Sequence, residues 1–211
     1  MPRPQAVIFD IGNVLIHWQP ELFYDAITTP EIRKRMFCTV DLHTMNDQID
    51  RGAPFRQTVY ATADQYPEFS DLIRLWHDNW LDIAAPGIAL SARLNNALHR
   101  KGITTAILSN IGRETYDLAL SRYPFLGSFT QVYLSGPLGV IKPDAAIYQA
   151  VETGLGLDPG LLLFTDDRLE NIAAAQSRGW QTHLFDGPEG FADVLVSHGL
   201  LSNAELAEIL D

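Results

Sequence analysis

Apolar residues gather in five short runs along the chain, at 6–10, 104–109, 130–134, 161–165 and 182–185. The first, Ala6-Val7-Ile8-Phe9, is unbroken, as a strand buried on both faces requires. Between the runs the apolar positions recur with helical spacing, over 88–100, 112–122, 144–153, 170–178 and 188–198. Gly102, Gly154 and Gly179 fall where these helices should stop. Ser202 with Glu205 reads as a capping box that opens a last helix. Strands separated by helices of this length predict parallel βαβ units and a doubly wound α/β sheet.

One spacing breaks the rhythm. About ninety residues separate Asp10 from Thr104, whereas a crossover needs on the order of a dozen residues including its helix. From about Pro20 to Ala84 the pattern is helical, without a convincing strand, and Pro86-Gly87 marks the return. The chain therefore divides into a core of 1–19 with 85–211 and a helical insert of 20–84. The insert is expected over the carboxyl ends of the strands.

Composition narrows the class. The 211 residues are 46% hydrophobic, enough for one sizeable core with a smaller insert. Fifteen basic against 26 acidic residues give a net charge of −11, which argues against a nucleic-acid surface. An acidic protein that binds an anion needs a local cation, either Lys, Arg or a metal. The single Cys38 has no internal disulfide partner, which fits a reducing cytoplasm. No segment approaches the roughly 20 apolar residues of a membrane span, and no leader-like stretch precedes the first strand. A cytoplasmic protein is expected.

Candidate chemistry sits at the strand ends, where open α/β sheets bind ligands. Asp10 ends the first strand and is followed by Ile11-Gly12-Asn13-Val14-Leu15. Leu108-Ser109-Asn110 ends the second and opens a helix whose free N–H groups suit an anion. Both Ser109 and Asn110 are equally good helix caps. Lys142 follows the third strand, and Pro143 can begin the next helix. After the fourth strand come Asp166 and Asp167, then Glu170 and Asn171. Adjacent carboxylates repel, and a hard divalent ion with oxygen ligands, Mg²⁺ above all, would relieve them. Trp76 and Trp80 stand four apart on a helix of the insert. Such a pair is first of all bundle core, though the rings could also stack on a sugar. Arg113 could reach an anion or remain a surface group.

Asp10, Ser109, Lys142 and Asp166-Asp167, in this order, resemble the four motifs of the haloacid dehalogenase-like hydrolase superfamily. The helical insert resembles its first cap type, over a Rossmann-like core. Phe-Asp-Ile-Gly-Asn-Val-Leu, Leu-Ser-Asn, Lys-Pro-Asp-Ala-Ala-Ile-Tyr and Asp-Asp-Arg-Leu-Glu-Asn look most like the α-D-glucose-1-phosphate phosphatase branch. The phosphatase domain of soluble epoxide hydrolase is a more distant likeness. The resemblance implies a phosphatase in which Asp10 is a carboxylate nucleophile that becomes an aspartyl-phosphate. It further implies Mg²⁺ held by Asp10, the Gly12 carbonyl and Asp167, with Asp166 close by. Ser109, the N–H groups around Asn110, and Lys142 would bind a small phosphorylated substrate, with Lys142 also balancing the nucleophile.

At one position the chain departs from that pattern. The superfamily's phosphatases usually carry a second Asp two residues after the nucleophile, as general acid and then base; here it is Gly12. Gly12 keeps a carbonyl for the metal but cannot move a proton. Such help is worth roughly 10²–10⁴ in rate, so a good leaving group such as a sugar anomeric hydroxyl is favoured. A water, His17 or a cap residue could supply the proton. Two rivals remain, a 2-haloacid dehalogenase, which lacks the second Asp and needs no metal, and a catalytically impaired phosphate-binding protein. A nucleotide-dependent oxidoreductase fits poorly, because no Gly-x-Gly-x-x-Gly follows the first strand.

Overall fold

The computed structural model describes residues 2–210. Five strands, β1 (Ala6–Phe9), β2 (Thr104–Ser109), β3 (Gln131–Leu134), β4 (Leu162–Asp166) and β5 (Gln181–Leu184), form one sheet in the order β3-β2-β1-β4-β5. All four pairings are parallel, with Ala6 level with Thr104 on one side and Leu162 on the other. The chain runs outward from β1 through β2 to β3, then returns to β4 on the far side of β1. The strand order therefore switches direction between β1 and β4, and a crevice opens beyond their carboxyl ends.

Alternation along β1 supplies both faces of the sheet. Ala6 and Ile8 join Ala106, Leu108, Leu162 and Phe164 under α10 (Ala145–Leu155) and α11 (Leu169–Ser177). Val7 and Phe9 point the other way, with Ile107 and Leu163, toward α7 (Ala89–Arg100), α12 (Pro188–Ser197) and α13 (Asn203–Leu210). Phe9 meets Phe129 and Phe191 edge-on at 5.4 and 5.3 Å. With helices on both faces, the sheet is doubly wound as the apolar pattern predicts.

Between β1 and α7 the described residues hold helices and no strand of the sheet. They are α1 (Pro20–Ile27), α2 (Pro30–Thr39), α3 (Leu42–Asp50), α4 (Phe55–Gln65), α5 (Ser70–Asp78) and the single turn α6 (Trp80–Ile83). Pro20 and Pro30 sit in the first turns of their helices, where a missing N–H costs nothing. Their buried side chains, among them Tyr24, Met36, Ile49, Phe55, Ile73 and Trp76, continue the apolar cluster of one sheet face. The insert thus shares its core with the sheet.

Two local expectations need correction, and one short helix lies outside the pattern. The helix ending at Leu155 stops at Gly156, which takes the left-handed conformation at φ 63°. Gly154 is the last residue but one of that helix and has another reason to lack a side chain, since an added Cβ would collide with the Tyr133 hydroxyl. Pro143 does not begin α10, which starts at Ala145. A single helical turn, α9 (Ser135–Leu138), intervenes after β3, too short for periodicity to register. No described helix is long and apolar enough to cross a membrane.

Candidate active site

The carboxyl ends of β1, β2 and β4 bring the sequence-predicted residues together. Lys142 is the centre of the arrangement. Its Nζ lies 2.8 Å from Asp10 Oδ1 and 2.6 Å from Asp166 Oδ2, and donates to the Leu108 carbonyl at 3.0 Å. Those three partners use the three N–H bonds an ammonium has. Burial alone would lower its pKa, but Asp10 and Asp166 outweigh it and hold the amine above its usual value.

The carboxylates feel the opposite balance. Burial pushes Asp10 up to about 6, against the pull of Lys142 and with Asp166 adding to the rise. Burial likewise raises Asp167, opposed by a hydrogen bond from Asn13. Asp166 is fully buried and accepts from the Arg168 N–H and from Asn171 Nδ2 as well as from Lys142. Asp10, Asp166 and Asp167 can each turn an oxygen to within 4.8 Å of the other two. Three carboxylates against one ammonium leave two negative charges in excess, and hard oxygen donors so spaced fit a divalent cation.

Ser109 is buried at the end of β2, lines the cleft and helps to hold the Asp10 pKa down. The Asn110 side chain turns to the loop that carries Lys142. Its amide Nδ2 donates to the Lys142 carbonyl at 3.0 Å, and its Oδ1 accepts from the Lys142 N–H at 2.7 Å. That pair of bonds fixes the strand-end loop carrying Lys142, so the Asn110 side chain is already engaged. The neighbouring Ile111 N–H is bonded to Ser135 Oγ at 2.9 Å. Gly12 lines the cleft.

A cleft of about 190 Å³ opens above these groups. It is smaller than the roughly 300–1,000 Å³ of sites for drug-sized ligands. The insert supplies the other wall, with His43, Asn46, Asp47 and Asp50 from α3, and Trp76 and Trp80. Trp76 is fully buried and its Nε1 donates to Asn46 Oδ1 at 3.2 Å, so the Trp pair is core and cleft wall at once. Trp18 packs edge-on against Trp76 at 5.6 Å. His17 also lines the cleft. Arg113 is exposed and paired with Asp117, a surface group.

Sequence reasoning passed over three residues here. Asn13 stands in the left-handed region at φ 54°, which Asn tolerates better than most side chains. From there its Nδ2 donates to Asp167 Oδ2 at 2.9 Å while its Oδ1 accepts from the Trp18 N–H. An Asn straight after Asp-x-Gly was the signal available. Asn171, which holds Asp166, could be recognised only as a neighbour of the acidic pair. Asp50 is buried on α3 with its carboxyl against Asn46, and nothing in a helix with Asp47 and Asp50 says which one faces inward.

Comparison with known proteins places this geometry. The chain is 28% identical to enolase-phosphatase E1 of Acidiphilium cryptum (strain JF-5) over 89% of its own length and 87% of that protein. It is 23% identical to drimenol cyclase drtB of Aspergillus calidoustus over 86% of its own length, and spans about a third (34%) of that longer relative. A haloacid dehalogenase family enzyme from Bacteroides thetaiotaomicron, solved with magnesium and inorganic phosphate, shares the fold at TM-score 0.62 and 19% identity, covering 87% of this chain and 95% of that one. The L-2-haloacid dehalogenase of Xanthobacter autotrophicus, solved with chloropropionic acid covalently bound, gives TM-score 0.60 and 19% identity over 98% and 88%. Residues 4–179 match the haloacid dehalogenase-like hydrolase family, and the chain belongs to it.

Proposed function

We propose that the chain is a Mg²⁺-dependent phosphatase of a small phosphomonoester, acting through an aspartyl-phosphate at Asp10. The observation that carries this reading is the excess of carboxylate at the strand ends. Asp10, Asp166 and Asp167 together exceed what Lys142 can neutralise, and a phosphate dianion approaching them would be repelled. Mg²⁺, held by Asp10, Asp167 and the Gly12 carbonyl with Asp166 close by, supplies the charge that lets phosphate and nucleophile meet. The magnesium and phosphate of the Bacteroides enzyme and the phosphatase name of the Acidiphilium relative support the same reading.

In this scheme Asp10 attacks phosphorus, and water later hydrolyses the acyl phosphate. Lys142 keeps Asp10 ionised and oriented, and balances the non-transferring oxygens alongside Ser109 and the backbone near Asn110. Residues 20–84 serve as a cap on the core of 1–19 and 85–211, closing the cleft over a small substrate. Trp18, half-buried in the cleft wall against Trp76 and Trp80, suits a sugar ring, so a sugar phosphate such as glucose 1-phosphate is the substrate class we favour.

A second reading, 2-haloacid dehalogenase, is favoured by Gly12 and by the likeness to the Xanthobacter enzyme. It leaves the carboxylate charge in excess of Lys142 without a second cation to relieve it. Phosphate release from a panel of sugar phosphates, with and without Mg²⁺, beside halide release from 2-chloropropionate, tests both. The phosphatase reading expects Mg²⁺-dependent phosphate release that Asp10→Asn abolishes. Halide release without metal would overturn it.

A further inference from the structure

The cleft lacks an acid where the superfamily's phosphatases usually carry one, and the backbone does not explain why. Gly12 has no left-handed φ, and a Cβ there would meet only Trp18 Cβ at 3.9 Å, an ordinary contact. The space is available, so its emptiness points to a proton source elsewhere. In the wall of the same cleft, the last residue of α3 is a carboxyl buried to 8% exposure, an expensive placement for an ionised group.

We propose that Asp50, reaching down from the insert, donates the proton to the leaving-group oxygen. The proposal rests on the phosphatase reading above. Asp50 lines the same cleft as Asp10 and accepts from Asn46 Nδ2 at 2.8 Å through Oδ2. Its backbone is clamped to the core, because Ser135 Oγ donates to the Asp50 carbonyl at 2.5 Å. Beside it, Gly112 lets the Ile49 carbonyl approach to where a Cβ would stand 2.9 Å away. The acid is thus fixed in position although it belongs to another element than the nucleophile.

Its surroundings keep it neutral. Burial, then the charges of Asp47 on the same helix and Asp10 from the sheet, hold Asp50 well above the carboxylate range, against the Gly112 backbone and Lys142. His17, His43 and Asp167 line the cleft with it, while Arg51, next in sequence, points away to Asp144 at 3.7 Å. The protons balance over a turnover. Asp10 attacks phosphorus, the bond to the leaving oxygen breaks, and that oxygen takes the Asp50 proton. The resulting Asp50 carboxylate then takes a proton from the water that attacks the aspartyl-phosphate. Inorganic phosphate leaves, and both residues return to their starting states.

An acid matters most when the leaving group is poor. With Mg²⁺ present, Asp50→Asn should lose on the order of 10²-fold or more in kcat/KM, which reports leaving-group departure and not the later hydrolysis shared by all esters, on phenyl phosphate. On p-nitrophenyl phosphate, whose leaving group needs little help, the loss should stay under about tenfold on the same scale. Equal losses on the two esters would overturn the proposal, because a structural or binding role does not sense the leaving group. The wild-type enzyme gives an independent reading should the variant melt early. Its kcat/KM on phenyl phosphate should fall as pH rises through the Asp50 titration while that on p-nitrophenyl phosphate does not; coincident profiles would overturn it too. Wild-type protein that releases no phosphate from either ester, against an Asp10→Asn blank, would instead remove the phosphatase reading and this inference with it.

Discussion

Lys142 shows how one residue can serve folding and chemistry together. Its ammonium is almost wholly inaccessible and touches two carboxylates that are themselves buried. Removing one partner from such a cluster leaves uncompensated charge in the interior, which costs about 3–5 kcal/mol. Lys142→Met should therefore lower unfolding free energy by that order in denaturant titration without divalent ions. Adding Mg²⁺ should restore part of the loss if the three carboxylates hold the ion; no response to Mg²⁺ would argue that they do not. At this scale the strand-end positions in the sequence indicated which residues gather, namely Asp10, Ser109, Lys142 and the Asp166-Asp167 pair. The sequence was silent on Asp50 and Asn13. Asp50 is selected by how α3 seats on the core, and Asn13 by a backbone conformation that no periodicity encodes.

Among the elements, the strands were legible because a parallel sheet covered on both faces demands continuous apolar runs, and β1 and β4 are buried at every position. Edge strand β3 is half open, and beside it the reading slipped at Gly154 and missed α9. Close backbone approaches there are invisible to pattern. Gly136 of α9 faces the Gly112 Cα, and an added Cβ would stand 2.9 Å from it. Gly136→Ala should destabilise by about 1–3 kcal/mol, the usual range for overpacking, measured by urea unfolding; an unchanged midpoint would show that α9 can move aside. The capping box at Ser202 forms as expected, with the Ser202 N–H donating to Glu205 Oε2 at 2.7 Å and the Glu205 N–H to Ser202 Oγ at 3.2 Å. Lys101 and those bonds hold Glu205 at about 2, below its ordinary 4.5. Because the folded pKa is the lower one, its stabilisation is present above pH 4.5 and fades as pH falls toward 2. Wild type should melt slightly above Glu205→Gln at neutral pH, the gap small because the pair is exposed and closing toward pH 2. A gap that persisted at pH 2 would contradict this.

Over the whole molecule, the sheet places Asp10 and the helices of 20–84 wall the cleft above it. The strand order reverses beside β1, so Asp10 and Asp166 arrive from adjacent strands at one crevice. The helices of 20–84 contribute a wall of Trp and carboxyl groups, and their packing into the same apolar cluster as Phe9 makes that wall a fixed part of the site. Substrate choice was the least legible property of the chain, because it depends on side chains that meet only after the insert has folded onto the sheet. A net charge of −11 makes the local cations decisive for an anionic substrate. The proposed chemistry requires a covalent bond to Asp10. Acid quenching of wild-type protein during turnover of p-nitrophenyl phosphate with Mg²⁺, followed by peptide mass analysis, should find the phosphoryl group on Asp10 and none in Asp10→Asn. Phosphate release with Asp10 unlabelled and the label on another residue would contradict it.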